Sequence, residues 1–394
     1  MTPAARIASA IGILDRILAG APAEQALTTW ARVSRYAGSS DRAAVRDHVF
    51  DALRCLRSYT ALAGAADPSG RALMIGALRA AGRDPSEGFT GMTHAAESLS
   101  AAEQATLAAA PALAALPLAV RCDCPDWLIG LLGVALGDSL EPVMAAQRLR
   151  APVFLRVNLR RISRAAAAAR LAAEGISAQA HPLADAALEV IKNSSKIKYV
   201  PSFLEGLVEL QDAASQAAVE RLSLRDGLRV LDYCAGGGGK ALAVAARAEC
   251  DMTAHDAAPD RMRDLAPRAA RAGVRIRLAD RATLKNERFD LVLVDAPCSG
   301  SGTWRRTPEA KWRLTPERLR DLMALQDEIL DQAAGHVRPG GHLAFMTCSL
   351  LTIENEDRVA AFLGRHVEFR RDSCCRFSPL QGGDGFFVAV LVRD

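Results

Sequence analysis

Apolar residues recur along the first third of the chain with a helical period. Ile7, Ile11, Leu14 and Leu18 fall on one helix face. A second helix reads from Asp41, taken as its N-cap, through AVRDHVFDALRCLRSYTAL. Pro68, Pro85, Pro111, Pro117 and Pro125 break the remainder into short helices, so residues 1–140 read as an all-helical domain. The pattern changes over 145–205. VFLRVN at 153–158 and LEVIK at 188–192 read as strands around a helix at 164–175 that ends on Gly175, a small α/β module. Over 206–394 strands and helices alternate, with strands expected at 229–235, 252–256, 274–280, 291–297, 342–349 and 386–393. That alternation predicts an α/β fold with a mostly parallel, doubly wound (Rossmann-like) sheet, which binds ligands at the carboxyl ends of its strands.

Composition narrows the class. Half of the 394 residues are hydrophobic and 24% are charged, the balance of a soluble globular protein of two or three domains. The apolar stretch LIGLLGVAL at 128–136 falls short of the roughly 18–20 residues of a membrane span. The N-terminal stretch carries Arg6 and Asp15 within an amphipathic pattern, unlike a signal peptide. Nine cysteines at irregular spacing form no CxxC pair. They suggest neither a disulfide framework nor a zinc site, so a cytoplasmic protein without metal is expected. It is further taken to be a monomer with no membrane attachment.

The net charge of +4 says little about partners, but its distribution says more. Arg148, Arg150, Arg156, Arg160, Arg161, Arg164 and Arg170 form a run without an acidic residue. Arg305, Arg306, Lys311 and Arg313 interleave with Trp304 and Trp312. A charge run alone is usually a solvated face. Arginine beside aromatic residues is the pattern expected for RNA, and Trp304, Arg305, Arg306, Lys311, Arg156 and Arg160 are taken as RNA-binding candidates.

Chemistry concentrates in the last segment. The first strand there runs into Cys234, Ala235, Gly236, Gly237, Gly238, Gly239 and Lys240. Glycines at a helix start expose N–H groups to a ligand, whereas Ala241 excludes a P-loop. Asp256, Asp280 and Asp295 stand at strand ends. A carboxylate at Asp256 suits the two hydroxyls of a ribose, so the cofactor is read as a nucleoside. Cys298 and Cys348 each follow an apolar strand-like run. A strand-end cysteine is more often a small buried hydrophobe than a nucleophile, but a thiolate is well suited to attack an electron-poor carbon.

The stretches QDAASQ (211–216), VLDYCAGGGGK (230–240), DAPCSGSGTWRR (295–306), PEAKWR (308–313), TCSLLTIENE (347–356) and DGFF (384–387) carry a specific likeness. With PDWL (125–128) and LRVN (155–158), they make the chain resemble the Sun/Nop (RsmB-type) family of S-adenosylmethionine-dependent RNA 5-methylcytosine methyltransferases. GSSDRAAVRDHVFDALR at 38–54 resembles the NusB-like helical RNA-binding domain of bacterial ribosomal RNA members. The resemblance implies a class I methyltransferase domain at 206–394, S-adenosylmethionine as cofactor and RNA, most simply 16S ribosomal RNA, as substrate. It implies Cys348 as the nucleophile on carbon 6 of cytosine and Cys298 in product release. Asp295 is then placed to assist at ring nitrogen 3, and Lys240 to orient Asp295 or the base. Transfer RNA as substrate and a non-catalytic ribosome assembly factor are the alternatives. A DNA cytosine methylase is disfavoured by the second, Thr-Cys motif.

The sequence departs from the family pattern at two places. Gly236 and Gly237 stand where the family's turn usually has Ala and Pro, and Arg268 stands where Asn is common.

Overall fold

The computed structural model describes residues 1–394. The chain divides into two compact units, Met1–Arg150 with Trp304–Arg313, and Ala151–Thr303 with Leu314–Asp394. The boundary read near residue 140 therefore moves to Arg150, because the helix Leu140–Arg148 packs with those before it.

The first unit is helical. Thr2 caps the helix Pro3–Leu18 by accepting from the Ala5 N–H (3.2 Å). Ile7, Ala10, Ile13, Leu14 and Ile17 turn into the core, while Ile11 and Leu18 sit at its margin. The buried arc is thus wider than the stripe read from the sequence, since this helix packs on both Ser39–Arg54 and Gly70–Ala80. The helix read from Asp41 starts at Ser39 after the N-cap Gly38. Asp41 is its third residue, accepts from the Gly38 N–H (3.3 Å) and pairs with Arg6 (2.8 Å). The helical stretch Asp126–Arg148, 23 residues, is long and apolar enough to cross a membrane by length and composition, beyond the nine-residue stretch read from the sequence. It is broken at Gly137, where φ is 52° and a 3₁₀ turn covers Gly137–Ser139.

The second unit contains two sheets. The smaller is antiparallel, with strands β1 (Val153–Val157), β2 (Ser177–Ala180), β3 (Ala187–Lys192) and β4 (Val208–Leu210) in the order β2-β3-β1-β4. Its last strand lies past residue 205, so the small module extends beyond its expected end.

The larger sheet comprises β5 (Arg229–Asp232), β6 (Asp251–Ala254), β7 (Ile276–Leu278), β8 (Phe289–Asp295), β9 (Val337–Thr347), β10 (Phe369–Phe377) and β11 (Phe386–Arg393). Their order is β10-β11-β9-β8-β5-β6-β7, parallel from β9 to β7 and antiparallel at β10 and β11. This is the doubly wound α/β sheet that the sequence pattern predicts. Alternate side chains feed opposite faces. Leu293, Ala344, Met346 and Val388 pack with residues of the helices Ala213–Glu220 and Gly239–Ala245. Val292, Val294, Leu343, Phe345 and Phe387 pack with residues of Pro316–Ala334 and Glu356–Arg365. The edge strand β10, FRRDSCCRF, was not legible because Arg370, Arg371, Asp372 and Ser373 in it are polar and exposed and interrupt any apolar alternation.

Candidate active site

After β5 the chain turns through Cys234–Gly239 into the helix Gly239–Ala245. Gly236 and Gly238 take φ of 49° and 80°, the left-handed region that favours glycine. A Cβ on Gly238 would also lie 1.8 Å from Leu265 Cδ1. The Gly236 N–H donates to Asp256 Oδ2 (2.9 Å), which ties the turn to the end of β6. Asp232 braces the turn from below by accepting from the Ala241 N–H (3.0 Å). Complete burial, reinforced by the charge of Asp295, pushes the Asp232 carboxyl up to about 7.

Beside this turn, at the carboxyl ends of the parallel strands, lies a cavity of about 740 Å³ whose lining includes Cys234, His255, Asp256, Arg261, Asp280 and Pro297. Asp256 is 3% exposed, accepts from the Ala258 N–H (2.9 Å) and pairs with Arg261 (3.2 Å). Asp280 caps the short helix Arg281–Leu284, accepting from the Thr283 N–H (2.8 Å) and hydroxyl (2.6 Å). These bonds, first the hydroxyl and then the N–H, hold its pKa below the usual carboxylate range. The volume, the apolar lining and the strand-end carboxylates fit S-adenosylmethionine. Of the residues expected at the cofactor, Cys234, Asp256 and Asp280 line the cavity, and Ala235 with Gly236–Gly239 forms the turn beside it. Lys240 and Asp295 are not among its lining; they pair with each other, Nζ to Oδ2 at 2.8 Å.

Asp295 leads to the two cysteines. β8 and β9 run parallel with Asp295 opposite Met346, so the loops that follow them emerge side by side. Cys298 Sγ and Cys348 Sγ are 3.5 Å apart. The hydrogen bond from Cys298 holds the Cys348 pKa below that of an ordinary thiol, and Lys240 and Thr303 add to this against burial and the charge of Asp295. The same bond raises the Cys298 pKa far above the ordinary value, with burial and the nearby Glu354 acting in the same direction. Burial alone would depress Lys240, but the charge and hydrogen bond of Asp295 outweigh it and keep the ammonium protonated. The pair is therefore biased towards a thiolate at Cys348 and a thiol at Cys298.

Glu354 joins the two loops. It is fully buried and accepts from the Ser299 N–H (2.8 Å), the Ser299 hydroxyl (2.5 Å), the Ser349 hydroxyl (2.5 Å) and Gln326 Nε2 (3.2 Å). Gln326 also donates to Pro297 O (2.8 Å). Gly302 donates to Cys348 O (2.9 Å) and accepts from Gly385 of the DGFF stretch (3.0 Å). Sequence reasoning passed over Glu354, Ser299 and Ser349, although all three lie inside the quoted motifs; Gln326 and Arg261 carried no such signal, and Arg268 was noticed only as a departure from the family pattern.

Most RNA candidates are placed differently from the expectation. Trp304, Arg305 and Lys311 are 1%, 4% and 2% exposed. They belong to the helical unit, where Arg54 Nε donates to Arg305 O (2.7 Å), the Arg305 N–H to Gln147 Oε1 (2.9 Å) and Lys311 Nζ to Arg54 O (3.2 Å). Arg156 is also buried and donates to Gln211 Oε1 (2.5 Å) and Gly239 O (3.0 Å). Lys311 and Arg156 satisfy acceptors through their side chains, Trp304 is part of the buried core, and Arg305 is buried with its backbone bonded to Arg54 and Gln147, so the reading of an RNA-facing cluster is corrected for all four. Arg306 is half-buried, and Arg160 is held by Ala245 O (3.3 Å) and Glu249 (3.2 Å).

Family comparison matches a 16S rRNA methyltransferase RsmB/F model over residues 219–392 and an RsmF/B-like ferredoxin-like domain model over 124–196. The ribosomal RNA small subunit methyltransferase B of Xylella fastidiosa is 36% identical over 294 residues, covering 68% of this chain and 68% of that protein. The Klebsiella pneumoniae protein of the same name is 34% identical over 286 residues, covering 68% of this chain and 66% of that protein. The chain thus spans about two thirds of the length of these relatives. Among solved structures, that of PH0851 superposes with a TM-score of 0.74 at 23% identity, covering 99% of both chains. A methyltransferase homolog protein from Pyrococcus horikoshii superposes with a TM-score of 0.61 at 25% identity, covering 70% of this chain and 97% of that one.

Proposed function

The chain belongs to the RsmB/F family of methyltransferases, and on that premise we propose that it methylates carbon 5 of a cytosine in RNA, 16S ribosomal RNA, through a covalent cysteine–cytosine adduct. Its cofactor is S-adenosylmethionine, which when bound supplies an electrophilic methyl group. The observation that carries the proposal is the 3.5 Å pair of cysteine sulfurs, with Cys298 next in sequence to Pro297, a residue lining the cofactor cavity.

The target base is unstacked and enters the site from its strand, as in other base-modifying enzymes. The Cys348 thiolate adds to carbon 6, forming an S–C6 bond and making carbon 5 enamine-like and nucleophilic. A proton passed through Asp295 from its ion-pair partner, the Lys240 ammonium, reaches ring nitrogen 3 and neutralises the electron density displaced there. Carbon 5 takes the methyl group. A base then takes the carbon 5 proton, and the electrons of that C–H bond restore the C5–C6 double bond as the S–C6 bond breaks. Cys348 leaves as a thiolate, and the nitrogen 3 proton returns through Asp295. Once Cys348 is bonded to carbon, Cys298 no longer faces a thiolate, and it is placed to assist that release.

The relatives' names support the ribosomal substrate. Bisulfite sequencing of ribosomal and transfer RNA from a strain lacking this protein tests it. Loss of 5-methylcytosine at one or a few 16S positions is expected. An unchanged ribosomal map, with losses confined to transfer RNA, would contradict the assignment.

A further inference from the structure

The cofactor turn is pinned almost peptide by peptide. The Ala235 N–H donates to His255 O (2.9 Å), Gly236 to Asp256 (2.9 Å) and Gly238 to Ala235 O (2.8 Å). Gly239 O accepts from Arg156 (3.0 Å) and Gln211 (3.1 Å). At Gly237 the hold comes from one side chain, the guanidinium of Arg268, whose Nη1 donates to the Gly237 carbonyl. Arg268 stands three positions after Leu265 on the helix Leu265–Ala272, hence on the same face. That face covers the turn. Leu265 Cδ1 fills the space beside Gly238, and Arg268 Nη1 lies 2.9 Å from where a Cβ on Gly237 would be. Glu209 steadies the guanidinium from behind, with Oε2 3.5 Å from Arg268 Nε and 2.6 Å from Arg271 Nη2.

Gly237, unlike Gly236 and Gly238, is not in the left-handed region, so its backbone does not demand glycine. What a side chain there would meet is the guanidinium itself, the far end of a flexible side chain. A Cβ at 237 would lie 2.9 Å from Arg268 Nη1, so the guanidinium must shift to admit one.

We propose that Arg268 is a positioning residue for S-adenosylmethionine. Its guanidinium supplies, from a neighbouring helix, the rigidity that a run of four glycines lacks. The arrangement makes one prediction that ordinary stabilisation does not. Gly237→Ala displaces the guanidinium in the native protein and weakens cofactor binding. Once Arg268 has been removed, the same substitution meets no obstacle, restricts a loose backbone and strengthens binding.

Titration calorimetry of S-adenosylmethionine into the full-length protein and its variants tests this. Arg268→Ala is expected to weaken binding roughly tenfold, the scale of one charge-assisted hydrogen bond. Gly237→Ala alone is expected to weaken it by about the same factor, and Gly237→Ala with Arg268→Ala to bind more tightly than Arg268→Ala alone. Arg268→Lys, which keeps a donor, should recover much of the loss. In turnover, KM for S-adenosylmethionine rises while kcat at saturation is retained, whereas a purely structural role would lower the melting temperature and kcat together. Native affinity in Arg268→Ala, or losses that simply add in the double variant, overturns the proposal. If Arg268→Ala does not fold, Gly237→Ala decides alone: unchanged affinity overturns it.

Discussion

Cys298 and Cys348 are 50 positions apart in sequence, yet their sulfurs lie 3.5 Å from each other. They meet because β8 and β9 are parallel neighbours and because one buried carboxylate, Glu354, accepts from Ser299 and Ser349, the residues immediately after the two cysteines. The contact makes the thiols unequal, with Cys348 lowered and Cys298 raised.

The inequality is measurable by alkylation. Iodoacetamide reacts with the thiolate, so Cys348 should be modified at a lower pH than an ordinary thiol, and Cys298 much more slowly. Cys298→Ala removes the hydrogen bond that contributes most to lowering Cys348, so its alkylation profile should move to higher pH. Mass-spectrometric mapping across a pH series reads both effects. Equal rates at the two sites would contradict the polarised pair.

Glu354→Ala should impair the site and the fold together. It takes the buried acceptor from the Ser299 N–H and two hydroxyls, at about 1–3 kcal/mol for each group left unsatisfied, while Gln326 keeps its bond to Pro297 O. A lower unfolding midpoint in denaturant is expected, together with loss of the selective reactivity of Cys348. A variant that unfolds like the native protein would remove Glu354 as the brace.

Asp256→Ala should weaken S-adenosylmethionine binding by on the order of 2–4 kcal/mol, since a buried carboxylate at a strand end is lost from the cavity. Part of the effect is indirect, because Asp256 also holds the Gly236 N–H. Calorimetry showing native affinity would remove Asp256 from the cofactor site.

Lys311→Ala should act on stability rather than on RNA. Lys311 lies buried within electrostatic reach of Asp123, a fully buried carboxylate that pairs with Arg148 (3.0 Å). Removing a charge from such a cluster typically costs about 3–5 kcal/mol. The melting temperature should fall, while the salt dependence of RNA binding stays unchanged. A reduced salt slope with native stability would return Lys311 to the RNA surface.

The sheet and the cysteine motifs were legible because their signals are local. Apolar runs such as LVLVDAP end at the residues that line the site, and a strand end is where such a sheet places its chemistry. Trp304, Arg305 and Lys311 were misread because charge next to an aromatic ring resembles a wet surface. The partners of Arg305 and Lys311, Gln147 and Arg54, lie 158 to 257 positions away, and no local pattern announces them. Glu354 was passed over for a similar reason. Its motif was visible, but its role depends on Ser299, 55 positions earlier. Gly237 and Arg268 were each noticed as departures, and only their contact in space makes them one feature.

The central claim is that Cys348 forms the bond to cytosine and Cys298 assists its release. Denaturing electrophoresis of each variant with labelled substrate RNA and S-adenosylmethionine tests it directly. Cys298→Ala should attack and transfer the methyl group but stall, leaving a protein–RNA adduct that survives denaturation. Cys348→Ala should give neither adduct nor turnover. An adduct in the Cys348→Ala lane with none in the Cys298→Ala lane would reverse the assignment, and turnover without adduct in both would contradict the covalent mechanism.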